Sequence, residues 1–227
     1  MKTLYGTIFM LLTAGCNSLP DSSENPLINN FNDRIDFAQV KPGHIKDATD
    51  YVIVQAEKIK REIINVNNNQ RTFVNTLLRI DDLYTVIESV WSPGYLMGSV
   101  HTNKDIRDEG IASSKTIQNY ITDLSLDNNL YEAVLSYSKT KNASELTGYR
   151  KKYFNDVMLD YKRSGFSLPS EQREKVKDVL DRLTELGLEF DKNIRSSQDT
   201  LFLNASDLDG LPENYKKERL QKVGTFA

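Results

Sequence analysis

His44 and His101 are the only imidazoles in the 227 residues, and neither belongs to a His-Glu-x-x-His run. A helical zinc hydrolase needs that spacing, because it puts two imidazoles on one helix face with a Glu as base toward a zinc-bound water. His44 stands at a helix start and reads as a surface or capping residue, His101 follows a loop, and neither reads as a metal ligand. Asp81 and Asp82 are a carboxylate pair, but adjacent helix residues point about 100° apart. They therefore read as a solvated face and not as an acid–base pair. Gly94-Tyr95-Leu96-Met97-Gly98 lacks the glycine spacing and the following Lys of a phosphate loop, and no Ser sits in a Gly-x-Ser-x-Gly context. Tyr149, Tyr153 and Tyr161 share a helix face and read as core and rim, not as a ligand box. These residues give no catalytic group, no metal ligand and no assigned substrate contact.

Cys16 is the single cysteine, so no intramolecular disulfide can form. Its context carries more than the count. MKTLYGTIFMLLTAGCNSLP opens with Lys2, runs through an apolar stretch from Leu4 to Leu12, and reaches Thr13, Ala14 and Gly15 just before Cys16. This is the layout of an export signal: a positive start, a short apolar run and a small-residue cleavage site. The run is too short to span a bilayer, which takes about 20 apolar residues. TAGC resembles a bacterial lipobox, with Thr13 where Leu, Val or Ile is usual. Residues 1–16 are thus expected to be a signal peptide with Cys16 as the lipid attachment site; an ordinary cleaved signal is the alternative. Export from a bacterial cytoplasm to the cell envelope follows from this layout. Asn142-Ala143-Ser144 and Asn204-Ala205-Ser206 fit a glycosylation pattern that has no role in such a lipoprotein.

The elements that would position any site are helical. Hydrophobic residues make up 39% of the chain and charged residues 27%, an ordinary globular balance. The net charge of -3 comes from interspersed acids and bases. Without clustered Lys and Arg on one face, nucleic acid is not an expected partner. Six Pro and eleven Gly are few for this length, and past position 40 the apolar residues recur at three and four.

Residues 17–34 are rich in Ser, Asn and Pro and read as a polar tether. Pro42 and Gly43 then lead into a helix carrying Ile45, Ala48, Val52, Ala56, Ile59 and Ile63. A second runs through Phe73, Leu77, Ile80, Leu83, Val86, Ile87 and Val90, with Pro93 and Gly94 as its expected end. Ile111, Ile117 and Ile121 anchor a third. Asp127 and Asn128 are candidate caps for a short helix with Leu130, Val134 and Leu135. Residues 138–146 read as a loop, and a helix through Tyr149 to Tyr161 stops at Gly165. From Pro169, a helix of about five turns carries Val176, Val179, Leu180, Leu183, Leu186, Phe190 and Ile194. Its stripe, Leu183 and Phe190 included, is expected to face the core, and Gly187 to mark the close crossing of another helix. Residues 200–204, Thr-Leu-Phe-Leu-Asn, alternate like a short strand, and a turn into a short helix follows. The fold class is all-α: an antiparallel, bundle-like helical lobe over residues 35–227 with one strand-like segment near its end.

The segment SGFSLPSEQREKVKDVLDRLTELGLEFDKNI, followed by TLFLNASDLDGLPENY, resembles the thimet oligopeptidase and oligopeptidase A family of zinc metallopeptidases. The matching positions are Gly165, Leu168-Pro169, Asn193 and the run Leu208-Asp209-Gly210-Leu211-Pro212-Glu213. VKPGHI, TFVNTLLRIDDL and VHTNKDIRDEG, with Ile106-Arg107, fit the same family upstream. The resemblance covers roughly residues 35 to 215. It implies a mostly helical protein whose lobes enclose a channel that admits short peptides and excludes folded proteins. It also implies zinc as cofactor, held by a His-Glu-x-x-His motif beyond the Leu-Pro-Glu turn. That motif is missing here, so the chain is expected to be the N-terminal lobe of an exported zinc oligopeptidase. As such it would be a channel wall, inactive alone, with short peptides and a membrane as partners. Two alternatives remain: a catalytically inactive helical lipoprotein that binds peptides or a protein partner, and a purely structural lipoprotein.

Overall fold

The computed structural model describes residues 25–28, 34–197 and 203–219. Cys16 and the rest of the signal-like segment lie outside them. The chain divides into two units that part between Phe190 and Asp191.

The first unit is built on three long helices, α1 (His44–Ile64), α2 (Arg79–Val100) and α3 (Lys104–Ser125), which pack on one another. Three residues join α2 to α3, and so short a link makes antiparallel neighbours. Then follow α4 (Asn128–Ser138), α5 (Lys141–Ser144), α6 (Gly148–Tyr161) and α7 (Ser170–Ser196). No strand occurs among the described residues. Residues 200–202 of the strand-like segment lie outside them, and Leu203 and Asn204 are in no regular element.

All six spaced residues of α1 are buried. They divide between two clusters. Ile45, Ala48 and Val52 join Val90, Met97 and Ile106 at one end. Ala56, Ile59 and Ile63 join Leu77, Leu83, Ile87, Ile117, Val134 and Tyr137 at the other. Thr49, Ser113 and Arg71 inside the bundle are paired, as burial favours, whereas Trp91 Nε1 and Asn119 Oδ1 are buried without a hydrogen-bond partner among the described residues. The hydroxyls of Thr49 and Ser113 lie 2.6 Å apart. Arg71 donates to the carbonyls of Ile63 and Ile64 at the end of α1. The start of α1 is held from α3, because the Glu109 carboxylate accepts the N–H groups of Gly43 and Lys46 at 3.0 and 2.9 Å. A carboxylate there suits the positive helix end. Asn25 reaches the same place, donating to the carbonyl of His44 at 2.8 Å, while Leu27 is buried in the cluster around Ile45. Part of the segment expected as a tether is therefore packed, because Leu27 finds an apolar site on α1.

Four further expectations are corrected. First, Pro93 and Gly94 do not end α2, which continues to Val100 with both residues buried inside it. Their place against α1 and α3 outweighs the lost N–H of Pro93. Second, residues 141–144 form the short helix α5, capped by the Thr140 hydroxyl on the Ala143 N–H. Third, a side-chain carbon on Gly187 would meet nothing within 4 Å beyond its own helix backbone. The close crossing is at Gly94, Gly98 and Gly110, where a side-chain carbon on Gly110 would lie 2.6 Å from the Gly94 carbonyl oxygen and 2.7 Å from the Gly98 backbone. Fourth, the apolar stripe of α7 is not core. Val179, Leu183, Leu186 and Phe190 are exposed, and no residue of α7 is buried. Two ion pairs join it to α3: Lys177 with Asp123 at 3.0 Å and Glu185 with Lys115 at 2.8 Å.

Asp127 caps α4, accepting from the N–H groups of Asn129 and Leu130, and Gly165 ends the π-helical turn after α6 at φ 90°. In the second unit a 3₁₀ turn (Ala205–Leu208) is followed by Gly210 at φ 88° and then by α8 (Glu213–Arg219). This is the turn into a short helix that the sequence implies. No helix among the described residues is long and apolar enough to cross a membrane.

Candidate functional site

The chemistry-bearing residues of the sequence fall in separate places. The Nδ1 atom of His44 accepts the Lys41 N–H at 3.3 Å, and that of His101 accepts the Asn103 N–H at 3.0 Å. Each imidazole closes its own local turn, which for His44 is the capping role that its place at a helix start suggests. Asn142 is likewise structural: its Oδ1 accepts from the Phe73 N–H at 2.9 Å and from the Tyr137 hydroxyl at 3.0 Å.

Asp81 and Asp82 diverge as helix geometry requires. Asp82 accepts from Arg79 at 2.7 Å, and Arg79 also reaches Glu62. Asp81 turns to the wall of a cavity of about 280 Å³ between α2 and α6. Ile80, Asp81 and Tyr84 supply the α2 side. Tyr153, Val157, Asp160 and Tyr161 supply the α6 side at steps of four, three and one, and Ser125 and Ser164 also line it. The three tyrosines expected on one face thus separate. Tyr161 is buried and Tyr153 half-buried, both in the cavity wall, whereas Tyr149 is exposed and outside it. Tyr84, which the sequence reading left out, completes the aromatic lining. Its only signal is the three-residue step from Asp81.

The electrostatics of the cavity are one-sided. Burial raises the pKa of the Tyr84, Tyr153 and Tyr161 phenols, and carboxylates push the same way, Asp160 on Tyr84 and Asp81 on Tyr153. These phenols stay neutral at pH 7. No hydrogen bond or ion pair engages Asp81 among the described residues, and Asp160 meets Arg163 at 3.9 Å with both side chains 72% exposed. A separate pair lies on α1 and α3, where the Tyr120 hydroxyl donates to Glu57 at 2.9 Å. Burial opposes the Glu57 charge, but hydrogen bonds from Lys60 and Tyr120 hold its carboxyl below the usual range.

Comparison with known proteins finds oligopeptidases that this chain is similar to. The chain is 26% identical over 177 residues to the Thimet-like oligopeptidase of Dictyostelium discoideum, a match that covers 75% of this chain and 26% of that protein. It is 26% identical over 199 residues to Oligopeptidase A of Haemophilus influenzae, covering 85% of this chain and 28% of the relative. Oligopeptidase A of Escherichia coli matches at 21% over 193 residues, 84% of this chain and 28% of the relative. No family profile matches the chain. The chain is thus similar to oligopeptidases of the thimet oligopeptidase and oligopeptidase A type, and it spans about a quarter of the length of these relatives. The zinc that the family implies does not fit the donors present. Among the described residues no three His, Cys, Asp or Glu side chains come together to hold a metal, and both imidazoles have one nitrogen taken by backbone.

Proposed function

We propose that these residues form a helical lobe of an exported zinc oligopeptidase, a channel wall that limits the size of peptide substrates. Peptide hydrolysis and zinc binding belong, in this reading, to a part of the enzyme outside the 227 residues. The observation that carries it is the run of oligopeptidase alignments across 75–85% of the chain, all within about a quarter of each relative. The helical bundle supports a wall, and the donor set supports placing the metal elsewhere. The exposed stripe of α7 then has an occupant, the zinc-binding part, which would cover Val179, Leu183, Leu186 and Phe190.

Purified chain incubated with a quenched fluorogenic peptide and added zinc is expected to leave the peptide intact, and chelator-sensitive cleavage would overturn the reading. The coding DNA past Ala227 tests the other half of it. An in-frame continuation carrying His-Glu-x-x-His is expected, whereas an immediate stop codon favours an inactive peptide- or partner-binding lipoprotein.

The envelope location rests on the signal-like segment ending at Cys16. Each buried methylene of a lipid contributes about 0.8 kcal/mol, so several chains hold a protein firmly on a membrane. The chain is expected in the membrane fraction, and Cys16→Ala should release it or leave it unprocessed. A wild-type chain found wholly soluble after signal removal contradicts the anchor.

A further inference from the structure

The cavity between α2 and α6 combines three features, although the Ser125 hydroxyl also donates to the Thr122 carbonyl at 2.8 Å and the Tyr153 hydroxyl to the Leu77 carbonyl at 3.4 Å. Tyr84, Tyr153 and Tyr161 line it with Ile80 and Val157, Asp81 and Asp160 bring carboxylates to it, and Ser125 and Ser164 add hydroxyls. Aromatic faces attract cations through the negative face of the ring, and Arg is the commonest partner. A carboxylate without a protein cation beside it adds the charge that such a ligand neutralises. This chain already uses the same contact with its own side chains. The Arg173 guanidinium lies 4.8 Å from the centre of the Phe166 ring, and that of Arg150 lies 5.1 Å from the centre of Phe73.

We propose that the α2–α6 cavity, with Tyr84, Tyr153 and Tyr161 as walls and Asp81 and Asp160 as anions, is a binding site for an organic cation of guanidinium or alkylammonium type. An apolar anion would meet two carboxylates there, and a neutral ligand would leave Asp81 without a partner. The volume suits one cationic side chain or a small free cation and is below the usual range of drug-sized pockets. Ser125 and Ser164 also line the cavity, and a hydroxyl oxygen can accept from a guanidinium N–H even where, as at Ser125, its own proton goes to a backbone carbonyl. This inference goes beyond the proposed channel wall and does not rest on it.

The test uses the purified full chain, labelled with nitrogen-15. It is titrated with N-acetyl-arginine amide and, in parallel, with N-acetyl-citrulline amide, which has the same shape without the charge. Saturable shifts in the millimolar range, confined to amides of α2 and α6, are expected for the arginine probe, with the citrulline probe at least tenfold weaker. Asp81→Asn combined with Asp160→Asn should weaken the arginine probe at least tenfold. Tyr84→Leu should weaken it several-fold with the far-UV spectrum unchanged. A blocked Ala-Arg-Ala peptide that binds as well as the amide assigns the site to a peptide side chain; much weaker binding assigns it to a free small cation. Equal binding of arginine and citrulline probes, or no saturable shift on the unaltered chain, overturns the proposal. That comparison decides the matter even if a variant fails to fold.

Discussion

Leu83→Ala in α2 is expected to lower the stability of the chain by about 2–5 kcal/mol, while Leu183→Ala in α7 changes it by no more than about 0.5 kcal/mol. The two substitutions remove the same atoms. Leu83 is 1% exposed among Ile59, Ile87 and Ile117 of one cluster, so its loss leaves a cavity between packed helices. Leu183 is 59% exposed, and most of its surface is already in water. A loss of 2–5 is large against a typical domain stability of about 5–15 kcal/mol. Urea unfolding followed by far-UV circular dichroism should show a clearly lower midpoint for Leu83→Ala and an almost unchanged one for Leu183→Ala. Equal midpoints would mean that the face of α7 has been misjudged.

Gly110→Ala and Gly187→Ala should move stability in opposite directions. A methyl on Gly110 would sit 2.6–2.7 Å from the backbone of Gly94 and Gly98, a separation that real side-chain carbons essentially never show. Backbone cannot yield as a flexible side-chain end does, so α2 and α3 must move apart. Overpacking of this kind costs about 1–3 kcal/mol and occasionally more. At Gly187 a methyl would meet nothing within 4 Å beyond its own helix backbone, so Ala adds helix propensity and should stabilise by about 0.5–1 kcal/mol. Thermal unfolding of the two variants beside wild type reads both signs. A melting temperature for Gly110→Ala at or above that of the unaltered chain contradicts the close crossing.

Both predictions rest on features that the sequence shows only in part. The recurrence at three and four fixed the helices, because a 3.6-residue turn lines up residues at that spacing on one face. In α1 the periodicity named every one of its six core residues, since α2, α3 and α4 all pack on that helix. Asp127 as a cap and Gly165 as a stop were legible for the same local reason: each acts on backbone within a few residues. The likeness to oligopeptidases was legible too, because short motifs survive in order along the chain.

What the sequence could not carry is which partner meets a face. The stripe on α7 has the same period as that on α1, yet Val179, Leu183, Leu186 and Phe190 are exposed. Periodicity shows that a face is apolar, but coverage depends on residues distant in the chain. Pro93 and Gly94 carry a stop signal that the packing of α2 against α1 and α3 overrides. Asp81 and Asp82 are equal in sequence, but Arg79 takes one while α6 builds a tyrosine-lined cavity beside the other. Amino-acid spacing along a helix therefore determined the elements and their polar and apolar faces. Tertiary contacts alone decided which faces are buried, which glycines touch backbone and where the one-sided cavity lies, because each depends on pairs of residues on different helices.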